Sequence, residues 1–156
     1  MIISIDFDGV LHSDEAQDAV ANIDDASTAQ LREAGLFAHA ELLARLLSPH
    51  PNVKLIVHSA WRITSSLERL REVLGPLGPR VVGATQPSLD REQSIMEWLR
   101  RNGLGEDAVV VLDDQPELFD RLRSRLVVCD RLRGLADPIV QENLCARLKA
   151  GPTVTP

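Results

Sequence analysis

The sequence predicts a doubly wound α/β domain on a mainly five-stranded parallel sheet, with helices on both faces. Five short runs rich in Ile, Val and Leu, at 2–6, 53–58, 80–83, 108–112 and 126–129, lack strict alternation, as strands covered on both faces do. Amphipathic segments separate them, the alternation from which parallel sheets are built. The length, 156 residues, suits one domain with a sizeable core and leaves little room for a second. Residues 1–150 therefore read as a single domain, with an acidic flap at 12–35 and a frayed tail at 151–156.

Taken in order, the first strand closes on Asp6-Phe7-Asp8-Gly9-Val10. Residues 12–35 follow, acidic and weakly periodic. So long a connection in a compact domain is commonly a functional lid, the plainer reading being a solvated, partly helical excursion. Leu36, Ala40, Leu43 and Leu47 recur at helical spacing and predict a helix over 36–47. The second strand closes on His58-Ser59-Ala60-Trp61-Arg62. Ser65 and Glu68 read as a capping box for a helix that stops at Gly75-Pro76. After the third strand, 90–102 turns Ile95, Trp98 and Leu99 inward and ends at Gly103. The fourth strand ends in Asp113-Asp114, and Pro116 suits the first turn of a helix running to about 124. The fifth strand leads to a last helix over 138–149.

Composition narrows the function. At 44% hydrophobic and 26% charged, the chain is globular rather than disordered. It has no apolar run near the roughly 20 residues that span a bilayer, and its start lacks the basic region of a signal peptide, so a cytoplasmic address is expected. Cys129 and Cys145 are too few for a disulfide framework and sit in no zinc-binding spacing; both read as small buried hydrophobes. Residues 1–35 hold eight acids and one base, Arg32, which argues against non-specific nucleic-acid binding as a primary role.

Those acids matter because ligands of an open parallel sheet bind beyond the carboxyl ends of its strands. If the first, second and fourth strands are neighbours, Asp6, Asp8, Asp113, Asp114 and Ser59 share one crevice. Two unit charges about 4 Å apart repel by roughly 4 kcal/mol at an effective dielectric of 20, so four acids need a cation or a proton among them. Oxygen donors select a hard ion, and Mg²⁺ is typically held by one or two carboxylates together with substrate phosphate. The crevice is thus shaped for a phosphoryl group and Mg²⁺.

The same residues carry a resemblance. Ile3-Ser4-Ile5-Asp6-Phe7-Asp8-Gly9-Val10-Leu11 resembles the first motif of the haloacid dehalogenase (HAD) superfamily, whose members are mostly Mg²⁺-dependent phosphatases with a Rossmann-like fold. Leu55 to Ser59 is similar to its second motif, and Val109 to Asp114 to its fourth. The resemblance implies that Asp6 is the nucleophile forming an aspartyl-phosphate and that Asp8 is the acid and base. It further implies that Ser59 binds phosphate and that Asp6, the Asp8 main-chain carbonyl and Asp113 hold Mg²⁺, with Asp114 a second ligand or outer partner. The third motif departs: the family's Lys has no counterpart between Lys54 and Lys149. Arg91, opening its helix, is the best positional match, and Arg62 is the rival for substrate contact. Ser59-x-x-Arg62 is similar, loosely, to the Ser-x-Arg of polynucleotide kinase-phosphatase enzymes and turns the expectation toward a nucleotide or polynucleotide phosphate.

The short separations between motifs imply a capless member, whose open site suits a phosphorylated small molecule or a nucleic-acid end; no membrane partner is expected, and the sequence is silent on oligomeric state, a monomer being the default. Trp61 reads as a stacking platform or as packing, and His12 and His58 as hydrogen-bonded loop or core residues. The arginines from 121 to 133 read as a solvated face. A non-catalytic binding or regulatory module on the same fold is the competing reading. A phospho-receiver domain is disfavoured, because the third strand ends without an acid.

Overall fold

The computed structural model describes residues 1–151 apart from Ala21, Asp24, Ser88 and Leu89; of the tail expected at 151–156, all but Gly151 lies outside the described residues. Strands β1 (Ile2–Ile5), β2 (Lys54–Val57), β3 (Val81–Ala84), β4 (Val109–Asp113) and β5 (Leu126–Val128) form one parallel sheet in the order β3-β2-β1-β4-β5. Ile5 stands opposite Val57 on one side and Leu112 on the other, so β1, β2 and β4 finish in line. The residues that follow these three ends share one edge.

Alternation along the strands splits the apolar side chains between two cores. Ile3, Ile5, Leu55, Val57, Val110 and Leu112 pack against α1 (Thr28–Glu33), α2 (Ala40–Leu47), α3 (Leu67–Val73) and α5 (Pro138–Ala150). Ile2, Ile56, Val109 and Val111 pack against Ile95 and Leu99 of α4 (Arg91–Arg101) and against Phe119 and Leu122. The sheet is therefore covered on both faces, which is why its strands read as continuous apolar runs.

Three elements differ from expectation. Helix α2 begins at Ala40 rather than Leu36, because Gly35 and Phe37 adopt positive φ; Leu36 stays buried without being helical. Helix α3 is capped by Ser66, whose side chain accepts from the Arg69 N–H. Glu68 then falls one position short of where a capping box closes. Between β4 and β5 the expected α-helix is replaced: Pro116–Leu118 and Arg121–Arg125 are 3-10 turns. The Asp120 and Leu122 N–H groups donate to Glu92 Oε1 at 3.0 and 2.6 Å, which draws them off a helical ladder.

The 12–35 stretch holds a 3-10 turn at Asp14–Ala19 and helix α1, which carries the capping box that sequence reading placed elsewhere, Ser27 with Gln30. Ala16, Val20, Ile23 and Ala26 pack on the first core and Leu31 is buried in it. Its ends are joined by the His39 N–H donating to the Leu11 carbonyl at 2.8 Å. Among the described residues no helix is long and apolar enough to cross a membrane.

Candidate active site

The backbone leaves β1 with the Asp6 N–H still bonded to the Leu112 carbonyl at 3.0 Å, which seats Asp6 beside the end of β4. It then turns at Gly9, φ 67°, over Asp114. A Cβ there would lie 2.7 Å from Asp114 Cγ, so this turn admits glycine alone. The two acidic motifs are thereby stacked.

At the centre, Arg91 Nη1 donates to Asp6 Oδ2 at 2.5 Å and to Asp113 Oδ2 at 2.7 Å. Helix α4, capped by Asp90 on the Gln93 N–H, delivers it there from its first turn. Asp6 Oδ1 accepts from the Phe7 N–H, and Asp113 Oδ1 from the Gln115 N–H, both at 2.8 Å. Beneath them His58, fully buried, sets Nε2 2.8 Å from Asp113 Oδ2 and Nδ1 2.7 Å from Ser4 Oγ. Ligand atoms of Asp6, His58 and Asp113 all lie within 4.8 Å of one another.

A second group surrounds Asp8. His12 Nε2 lies 2.8 Å from Asp8 Oδ1, and Trp61 Nε1–H reaches the same oxygen at 3.5 Å. Trp61 is buried, its ring centroid 5.1 Å from that of Phe37 and 6.1 Å from that of Phe7. It therefore packs rather than offering a face for stacking.

Ser59, fully buried, caps the turn after β2 by accepting from the Trp61 N–H at 3.5 Å. Arg62 donates Nε to the Thr85 carbonyl at 3.0 Å and Nη1 to the carbonyls of His58 and Ser59 at 2.5 and 2.7 Å. Its guanidinium thus ties the Ser59 turn to the end of β3.

Burial sets the proton affinities, modified by neighbours. Burial pushes Asp6 above the usual carboxylate range, and Asp113 adds to this against the pull of His58 and Arg91. Burial acts upward on Asp113 too, but the hydrogen bond and charge of His58, then those of Arg91, outweigh it and hold that carboxyl low. Burial likewise works against the Arg91 charge, yet Asp6 and Asp113 together raise its pKa. Asp114 is pushed up to about 6 by burial, then by Asp14, Asp113 and Asp6.

Asp114 supplies the observation that tests the site for a metal. Both its carboxylate oxygens are buried and have no hydrogen-bond partner among the described residues. Arg131 Nε lies 3.2 Å from Oδ2, close enough for an ion pair but not aligned for a hydrogen bond. Buried carboxylate oxygens that lack hydrogen bonds and crowd other carboxylates fit a hard cation. The structure thus gathers Asp6, Arg91 and Asp113 in direct contact, with Asp114 stacked on the Gly9 turn. Asp8 lies in the adjoining His12–Trp61 group, and Ser59 and Arg62 form the turn after β2. Sequence reading set aside His12 and His58, although each adjoins a motif that ends at this edge.

A family model described as the HAD domain in Swiss Army Knife RNA repair proteins matches residues 2–140. No curated protein and no solved structure matches the chain. The chain belongs to that family and so to the HAD superfamily, as its strand-end motifs imply.

Proposed function

We infer that this HAD domain is a Mg²⁺-dependent phosphomonoesterase that works through an aspartyl-phosphate and takes a phosphate at an RNA end. The observation that carries the reading is Arg91 Nη1 between Asp6, at 2.5 Å, and Asp113, at 2.7 Å, where the family's third motif otherwise supplies a Lys. A guanidinium there keeps the positive charge that a transferring phosphoryl group requires.

In this reading a carboxylate oxygen of Asp6 attacks phosphorus as the bond to the leaving oxygen breaks, and Asp8 gives that oxygen its proton. Water then attacks the aspartyl-phosphate, returns a proton to Asp8, and the phosphorus–Asp6 bond breaks to release inorganic phosphate. Asp6, Asp113, the Asp8 main-chain carbonyl and, directly or through water, Asp114 would hold Mg²⁺, which when bound would supply positive charge to the phosphoryl oxygens. Ser59 donates its hydroxyl to one of those oxygens. Arg62, with Nε and Nη1 on three carbonyls, holds the Ser59 turn in shape. The RNA end is supported by the family's description and by the absence of a second domain over this edge among the described residues.

The test is phosphate release from a 3′-phosphorylated oligoribonucleotide, with Mg²⁺ and with chelator, for wild type and Asp6→Asn. Mg²⁺-dependent release that Asp6→Asn lowers by at least about a thousandfold is expected for loss of a covalent nucleophile. Release indifferent to the substitution would overturn the nucleophile, and silence toward this and other phosphomonoesters would favour the binding-module alternative.

A further inference from the structure

The phosphatase reading gives Asp8 a proton to deliver but does not say what orients its carboxylate. His12 is 1% exposed, with Nε2 2.8 Å from Asp8 Oδ1. Its other nitrogen, Nδ1, accepts the Phe37 backbone N–H at 3.2 Å. A ring nitrogen that accepts cannot carry the proton, so the neutral ring holds it on Nε2 and donates to Asp8.

Phe37 makes that bond from an unusual place. Among the described residues it is the one non-glycine with positive φ, 58°, a region bulky side chains rarely occupy. Such strain persists where its surroundings over-determine it, and often at functional sites. The Phe37 ring packs edge-on against His12, with centroids 5.2 Å apart, and against Phe7 at the same distance. His12 and Phe37 stand at the two ends of the 12–35 excursion, so closing that excursion completes the group. His12 Nε2 meets the second acid of the Asp6-x-Asp8 motif.

We propose that His12 is a positioning residue for Asp8: its Nε2–H fixes the carboxylate in the orientation from which the proton reaches the leaving oxygen, and Phe37 locks the tautomer. This rests on the phosphatase reading above. With Oδ1 held as an acceptor, the proton transferred as the phosphorus–oxygen bond breaks is the one on Oδ2.

The test compares two esters. An alkoxide needs that proton to leave, whereas 4-nitrophenolate departs without it. His12→Asn keeps an acceptor near Nδ1 for the Phe37 N–H but removes the donor at Nε2; His12→Gln places an amide N–H near Nε2. For His12→Asn, kcat/KM on glycerol 2-phosphate is expected to fall about 100-fold, and on 4-nitrophenyl phosphate less than about 3-fold. His12→Gln is expected to keep the alkyl ester within about 5-fold of wild type, and Asp8→Asn to show the same split between esters more strongly. Equal losses on both esters, or no advantage of Gln over Asn, would overturn the role of His12 alone. No release by wild type from either ester or from the 3′-phosphorylated oligoribonucleotide would overturn the phosphatase reading and this role with it. A long-range ¹H–¹⁵N spectrum of the wild-type imidazoles decides the geometry independently of activity. The Nε2–H tautomer is expected for His12, and the Nδ1–H tautomer would overturn the lock.

Discussion

Two buried histidines each place Nε2 2.8 Å from an aspartate at the same sheet edge, yet the carboxylates they hold differ. Asp113, fully buried, takes His58 and Arg91 on one oxygen and is held below the usual carboxylate range, their pull outweighing burial. Asp8 keeps 20% of its side chain exposed and accepts from a ring whose tautomer is set by the Phe37 N–H. The contrast separates two uses of one residue type. A guanidinium and a ring nitrogen on one oxygen hold a buried carboxylate as an anion, suited to holding a cation. A single ring N–H on one oxygen orients a carboxylate for the proton transfer assigned to it.

The largest effect should come from breaking the anion. Asp113→Asn is expected to lower phosphate release at least about 100-fold and to abolish the thermal stabilisation by Mg²⁺, which for a bound ion at 100 times its Kd is about 2.7 kcal/mol. A wild-type Mg²⁺ shift in this variant would break the comparison. Next, Arg91→Ala should cost about 100-fold in kcat/KM, while Arg91→Lys, which restores a point charge without the planar fork, should recover most of it. Equal losses in the two variants would mean that shape rather than charge acts there.

Stability sharpens the contrast further. His58→Leu strips a donor from a fully buried carboxylate and should cost about 3 kcal/mol in denaturant unfolding. His12→Asn leaves Asp8 able to turn to water and should cost about 1 kcal/mol. The reverse order would show that Asp8 is the more deeply held of the two.

The smallest effect belongs to the exposed face of α4, where Arg100, then Arg101, hydrogen-bond Glu97 and hold its carboxyl at about 2, against an ordinary 4.5. A depressed carboxyl adds stability above its unfolded pKa and loses it as pH falls through the folded one, so this contribution fades between 4.5 and about 2. Solvent screens such a pair, and Glu97→Gln should shift Tm by no more than about 2 °C near neutrality and by nothing below pH 2. A Tm difference that widens toward acid would contradict the sign.

The sheet, the acidic strand ends and Arg91 were legible in the sequence because each is a local signal. Apolar runs mark β1 to β5, Asp6-x-Asp8-Gly9 and Asp113-Asp114 stand at strand ends, and Arg91 opens a helix whose pattern is plain. The cap at Ser66 was missed by one residue, since adjacent serines at 65 and 66 are equivalent until the helix register is known. The 3-10 turns after β4 were missed because Glu92, about thirty residues earlier, takes the N–H groups a helix would have used.

The site divides along the same line. By itself the sequence determined which chemistry-bearing residues end the strands, because strand and helix periodicity is written in neighbouring residues. Only the tertiary structure decided their partners: His58 with Asp113, fifty-five residues apart, Phe37 on His12, twenty-five apart, and Arg91 on both Asp6 and Asp113. Hydrogen-bond direction, tautomer and proton affinity depend on which groups meet at about 3 Å in a buried place, and that is set by the parallel register of β1, β2 and β4, not by spacing along the chain.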